Sequence, residues 1–349
     1  KLLILSLDSL SEKDLDLLLG MKHFGSLLPE GTLVREVDSI FLTNTYPVHT
    51  SVITGCHPNR HGILDNPVYD PGNRKPDWNW YRKKIGTTNL YDEARRNRLK
   101  AASVLWPVTA GARIRYHIPE IFPKKRFQKQ FCLSFRNGSV MTQAAALCRY
   151  GHLLDGRRQP NLDDFSTMVM ADLIRRKKPD LALLHLIDVD SFKHKKGTTD
   201  NGTYAAVRRM DGRLGLLLEA IRDSGEEYSL IFFSDHGGRP VDRTIDPNDY
   251  LVKMRIKVPT EEDKRSWEAW FRPCGGSAIL YLNTRDNRMK DRIMKQVEEL
   301  VEMKTEGIGR LLSQEEMELS GFGAEAFLGI EAAPGTEFKN NGSHFNANH

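Results

Sequence analysis

Cysteine is scarce in this sequence: Cys56, Cys132, Cys148 and Cys274 are the only four in 349 residues, without short paired spacing or histidines at zinc-finger distances. That excludes a disulfide framework or a small structural zinc module as the basis of the fold, and points to an intracellular, cytoplasmic protein. Long hydrophobic runs are missing as well. None approaches the ~20 apolar residues that span a bilayer, and no basic, apolar, small-residue leader opens the chain. A soluble protein without a membrane segment is expected, with a removed leader left open because the first residue is Lys1 rather than Met. There is no internal repeat and no low-complexity segment. A large excess of one charge is also absent, with 51 Lys and Arg against 46 Asp and Glu, a net +5. The basic residues fall in short runs at 124–126, 175–178 and 193–196 that read as solvated surface, so nucleic-acid binding is not required.

What is present is a set of apolar runs that end in acids. Residues 2–7 lead into Asp8, 181–187 into Asp188 and Asp190, and 230–233 into Ser234, Asp235 and His236. In an open α/β sheet the carboxyl ends of the strands face the ligand crevice, so acids from three distant segments converge there. With histidines nearby, such convergence predicts a metal centre. The 40% hydrophobic content is enough for one large α/β domain with a mostly parallel central sheet flanked by helices.

The order of elements fits. The first strand is followed by an amphipathic stretch at 14–28, as in a βαβ unit. Residues 66–84, rich in Pro, Asn, Asp, Tyr and Trp, suit a loop over the site, and 101–106 forms a second strand that stops at Pro107. Periodicity is weak over 111–158, which reads as an insertion or cap. Alternation returns with a helix at 163–177, the strand at 181–187, and a helix carrying Val207, Met210, Leu214 and Leu217 that Gly225 closes. The strand 229–233 follows. Beyond Asp246 comes a second excursion, with a strand at 278–282 and a helix at 289–303. The chain thus reads as a single catalytic domain, 1–349, with insertions near 111–158 and 246–330 and an end at His349 that looks incomplete.

Asp190 and His194 stand one helical turn apart just past a strand. A carboxylate and an imidazole at that spacing can grip one ion, and zinc or manganese accepts such ligands. Asp235-His236 is the second pair, with Gly237-Gly238 behind it to let the backbone turn sharply. The segment from Thr43 to Gly55 supplies hydroxyls. Thr45 lies just ahead of Pro47, a helix-starting residue, where free N–H groups and the helix dipole favour an anion. A threonine oxygen beside a cation is a usable nucleophile, although a threonine taken alone at this place reads first as an N-cap.

The run Asn44-Thr-Tyr-Pro-Val-His49, then Thr54-Gly-Cys-His-Pro-Asn-Arg-His-Gly-Ile63, Asp65-Asn-Pro-Val-Tyr-Asp-Pro71, Leu105-Trp-Pro107, Asp190 to His194 and Ser234-Asp-His-Gly237 resembles the nucleotide pyrophosphatase/phosphodiesterase family of the alkaline phosphatase superfamily, in order, over residues 1–240. The resemblance implies an alkaline-phosphatase-like core and a hydrolase that cleaves phosphodiester or pyrophosphate bonds of small nucleotide-like substrates with two zinc ions, manganese or another divalent metal being an alternative. It makes Thr45 the nucleophile. Asp8, Asp235 and His236 would hold one metal together with Thr45; Asp190, His194 and His349, preferred over His344, would hold the other. Asn66 would bond a phosphoryl oxygen, Tyr46 would stack on a base, and Tyr116 would form an opposing wall. His49, His57 and His61 receive no metal and are expected to make structural hydrogen bonds. Two further readings keep the scaffold: a phosphonate or phosphomonoester hydrolase or phosphoryl transferase, and a catalytically lapsed protein that binds a nucleotide or other anion.

Overall fold

The protein is described from a computed structural model that covers residues 1–73, 75–124, 129–303, 305–322 and 326–340. Five apolar segments become the central sheet: β1 (Leu2–Leu7), β2 (Ala101–Val104), β3 (Tyr116–Ile118), β4 (Leu181–Leu186) and β5 (Ser229–Phe233), in the order β3-β2-β4-β1-β5. Every pairing is parallel, so all five carboxyl ends lie along one edge. Near-continuous apolar strands suit a sheet covered on both faces.

Side-chain alternation decides what each face receives. Leu3, Leu5 and Leu7 of β1, with Ala182, Leu184 and Leu186 of β4, pack into one cluster under the helices Asn161–Lys177 and Asn201–Ser224. Each fully buried leucine contributes roughly 1.5–3 kcal/mol. Ile4, Leu181 and Leu183 point the other way, into a cluster with Tyr46, Ile53, Trp80 and Trp106. On that same face Ser6 and His185, which are register partners, meet the helix Thr45–Thr54: His49 Nε2 bonds Ser6 Oγ at 2.8 Å, and the rings of His49 and His185 lie 4.4 Å apart.

Beyond β5 the chain builds a second, antiparallel sheet. After β6 (Arg243–Ile245) come β7 (Ala269–Pro273), β8 (Ser277–Leu282), β9 (Ile308–Leu312) and β10 (Ala326–Ala332), ordered β7-β8-β10-β9; β11 (Thr336–Phe338) pairs with β6. The helix Asn287–Glu302 buries Ile293 and Val297 in its core.

Three expectations are corrected. The amphipathic stretch at 14–28 is two helices, Glu12–Leu19 and Lys22–Leu27. Gly20 ends the first, and Asp211, reaching over from the helix Asn201–Ser224, accepts the N–H groups of His23 and Phe24 at 2.9 Å each to start the second. The stretch read as an insertion, 111–158, supplies the edge strand β3 of the main sheet. Lys193, counted among solvated basic residues, is only 8% exposed. Among the described residues no helix is long and apolar enough to cross a membrane, and all four cysteines are free.

Candidate active site

Asp8, Asp190, Asp235 and His236 all follow carboxyl ends of parallel strands, and the sheet brings them together. Ligand atoms of Asp8, Asp190 and His236 lie within 4.8 Å of one another. His236 Nε2 is 3.4 Å from Asp8 Oδ1 and 3.5 Å from Asp235 Oδ2. Asp235 Oδ1 is fixed by the N–H groups of Ser9 at 3.1 Å and His236 at 3.0 Å. Its other oxygen, Oδ2, and Asp8 Oδ1 are buried without a hydrogen-bond partner. A buried carboxylate oxygen left unpaired is costly, and two that face one imidazole are the donor set a divalent cation completes. The residues therefore fit a metal.

The electrostatics agree. Burial and the nearby Asp8 push the Asp235 pKa upward. Burial opposes protonation of His236, but Asp235 and Asp8 outweigh it and hold its pKa above the ordinary value. The cluster thus draws positive charge, which a proton supplies when no cation does. His194, on the helix Asp188–Lys196, lies 3.3 Å from Asp190 Oδ1 with its side chain 79% exposed; the hydrogen bond to Asp190 raises its pKa. Asp188 turns away from this edge, since Arg209 and Arg213 bind it at 2.7 and 2.8 Å. His349 and His344 lie outside the described residues.

Thr45 is the first residue of its helix, with Asn44 as N-cap, and its Oγ1 lies 3.4 Å from His236 Nε2. The hydroxyl thus sits between the acid cluster and a helix N-terminus that favours an anion. Beside it, Asn66 Oδ1 accepts the Tyr46 N–H at 2.8 Å, while its side-chain N–H groups carry no hydrogen bond among the described residues. Asp65 sets this corner: Oδ1 accepts from Asn44 Nδ2 at 2.6 Å and from the Asn66 N–H at 2.7 Å, and Oδ2 pairs with Arg272 of β7 at 2.9 Å. His49 Nδ1 bonds the Thr45 carbonyl at 2.7 Å, and His61 Nε2 meets Ser51 Oγ at 3.0 Å.

A cavity of about 460 Å³ opens from Thr45, Asp8 and Asp190 toward Trp78, Phe122 and Arg157. The tyrosines predicted to line it are placed differently. Tyr46 forms part of its wall but is fully enclosed, packed edge-on against Trp78 at 5.2 Å and Trp80 at 5.8 Å, with its hydroxyl donating to Glu120 Oε1 at 3.1 Å. Tyr116 begins β3, at the end of the strand opposite the site, and packs against the first core cluster. Trp78, 41% exposed and stacked on Trp80, lines the cavity with Phe122. Reading the sequence also missed His185 and Glu120. His185 Nε2 holds Asp8 Oδ2 at 3.0 Å, and its Nδ1 is 3.6 Å from Glu120; burial works against charge on His185, but the Asp8 carboxylate bonded to it and the Glu120 carboxylate beside it raise its pKa well above the ordinary value. A histidine inside the apolar run of β4 was the one signal available for it.

Residues 2–320 match the family model described as type I phosphodiesterase/nucleotide pyrophosphatase. Human ectonucleotide pyrophosphatase/phosphodiesterase family member 1 is 26% identical over 232 residues, 61% of this chain and 21% of that protein. Venom phosphodiesterase 2 of Crotalus adamanteus is 25% identical over 237 residues, 62% of this chain and 25% of that protein. The chain thus spans about a quarter or less of the length of these curated relatives. The murine ectonucleotide pyrophosphatase/phosphodiesterase 5, solved as an inactive variant in complex with AMP, superposes with a TM-score of 0.65 at 18% identity, covering 98% of this chain and 81% of that one. Phosphonoacetate hydrolase of Sinorhizobium meliloti, in complex with phosphonoacetate, gives 0.70 at 17% identity over 97% and 82%. These two likenesses concern the fold, an alkaline-phosphatase-like α/β core.

Proposed function

Since this chain belongs to the type I phosphodiesterase/nucleotide pyrophosphatase family, we propose that it hydrolyses phosphodiester or pyrophosphate bonds of small nucleotide-like molecules through Thr45. The observation that carries this reading is the pair of buried, unpartnered carboxylate oxygens on Asp8 and Asp235 beside a threonine hydroxyl at a helix N-terminus. Asp8, Asp235 and His236 would hold one divalent metal with Thr45, and Asp190 and His194 a second, with His349 as its remaining ligand. Zinc suits these oxygen and nitrogen donors, and manganese is the alternative. Bound there, the cations would offset the charge on the attacking and leaving oxygens of an in-line displacement. The two sheets act as one catalytic domain in this reading, because Arg272 of β7 supports the Asp65 corner that orients Asn66.

The chemistry asked of the chain is then limited. Thr45 Oγ forms a bond to phosphorus as the bond to the leaving oxygen breaks, and the hydroxyl proton goes to solvent. Asn66, with its free N–H groups, bonds a phosphoryl oxygen and holds the phosphorus in line. Water then attacks the same phosphorus, the bond to Thr45 Oγ breaks, the nucleoside monophosphate leaves, and a proton from that water restores the hydroxyl. The aromatic surface of Trp78 would take a flat substituent such as a nucleobase.

Thr45→Ala is expected to lower turnover of a nitrophenyl nucleotide diester by on the order of 10³-fold or more while folding and, with Asp8, Asp235 and His236 still in place, metal content stay largely unchanged. Retained turnover rejects the mechanism. A metal-free wild-type protein that still binds nucleotide favours the lapsed binding protein instead, and a preference for phosphonate or monoester over diester changes the substrate class but not the nucleophile.

A further inference from the structure

Lys193 is the residue between the two halves of the site. It precedes His194 on the helix Asp188–Lys196, yet its side chain turns inward: Nζ donates to Asp14 Oδ2 at 2.5 Å and to the Ser9 carbonyl at 2.5 Å. Ser9 follows Asp8 in a left-handed conformation, φ 61°, and its N–H is already held by Asp235. The lysine stem also reaches the loop after His236, where a Cβ placed on Gly238 would lie 3.6 Å from Lys193 Cδ. Asp14 is itself anchored, accepting from the Ser11 N–H at 2.8 Å and the Ser11 hydroxyl at 2.7 Å. One buried side chain on the helix that carries Asp190 and His194 therefore ties its ammonium to the turn after Asp8 and to Asp14, while its stem passes beside the loop after His236. A lysine is seldom buried, and here a single carboxylate neutralises it. A surface role does not account for that placement.

We propose that Lys193 is a positioning residue that fixes the separation between the Asp8–Asp235–His236 cluster and the Asp190–His194 pair, and thereby the affinity for the second cation. This rests on the two-metal reading above. It acts through the Ser9 carbonyl and Asp14, without touching substrate, and so governs metal binding rather than the chemical step.

Two experiments test it. Lys193→Met combined with Asp14→Asn removes both buried charges while keeping an acceptor for Ser11, so folding is expected to survive. Zinc titration of that variant against a chromogenic chelator should show at least one equivalent bound about 10–100-fold more weakly, and Lys193→Arg alone should retain affinity within a few fold of the wild type. A folded double variant that binds both equivalents with wild-type affinity overturns the proposal. In the wild-type protein without metal, hydrogen exchange should show segments 8–11, 188–196 and 235–238 opening as one unit; independent opening overturns it without any substitution. If the wild type binds no divalent cation, the two-metal reading fails instead, and the exchange result still decides whether Lys193 joins the three segments.

Discussion

At the scale of single residues, two aromatic side chains of the cavity differ in how far they are open to it. Tyr46 is sealed behind Trp78, so removing its hydroxyl should touch folding more than substrate, whereas Trp78 is 41% exposed in the cavity that Thr45 also lines. Stacking of a base on an aromatic ring is worth roughly 1–3 kcal/mol. Trp78→Ala should therefore raise KM for a nucleotide diester about tenfold and leave a methyl phosphodiester almost unaffected, as steady-state kinetics on the two substrates would show; equal effects on both would remove Trp78 from recognition. Asp8, Asp235 and His236 were legible because each ends an apolar run, and a parallel sheet makes such ends neighbours. Glu120 was not, because the three residues of β3 are too few to carry a period. Lys193 was misread because a run of basic residues looks solvated until its partners, Asp14 and the Ser9 carbonyl, are known to lie beside it.

At the scale of elements, the second sheet reaches the Asp65 corner through β7 and the residue after it, with Arg272 also donating to the Pro67 carbonyl at 2.6 Å and the Cys274 thiol 3.5 Å from Asp65 Oδ2. Arg272 of β7 and Asp65 are 5% and 3% exposed and pair at 2.9 Å, and Asp65 in turn orders Asn44 and Asn66. Removing one partner of a buried ion pair costs about 3–5 kcal/mol. Arg272→Met is expected to lose about that much stability in denaturant unfolding and to lower kcat through a loosened Asn66, with metal content intact; an unchanged kcat would mean that the two sheets work independently. The strands β1 and β5 could be placed from sequence because their apolar runs end sharply. The break between the helices Glu12–Leu19 and Lys22–Leu27 could not, since the carboxylate that starts the second belongs to Asp211, far along the chain.

At the scale of the whole molecule, buried neutral histidines set the response to acid. Burial, with His185 as a lesser cause, lowers the His49 pKa to about 3; burial lowers that of His117 to about 3 and, with some help from His57, that of His61 to about 4. Each folded value lies below the unfolded 6.5, so the stability these groups contribute is complete above pH 6.5 and is lost as pH falls toward the folded values, at up to about 1.4 kcal/mol per pH unit per group. Asp163, raised to about 6 mainly by burial, and Asp235 have the opposite sign: their contribution is present at low pH and lost as pH rises through the folded pKa. Three histidines outweigh two carboxylates, and the melting temperature of the metal-free protein should fall as pH drops below about 6.5; a flat or rising profile would contradict the burial of these rings. The order of the sheet also has a consequence for biosynthesis. β1 lies between β4 and β5, so of the five strands the first in sequence keeps one side open until the last emerges. Asp8 waits beside that open side for Asp235 and His236, and a nascent chain cannot assemble this acid–histidine cluster before the ribosome has passed residue 236.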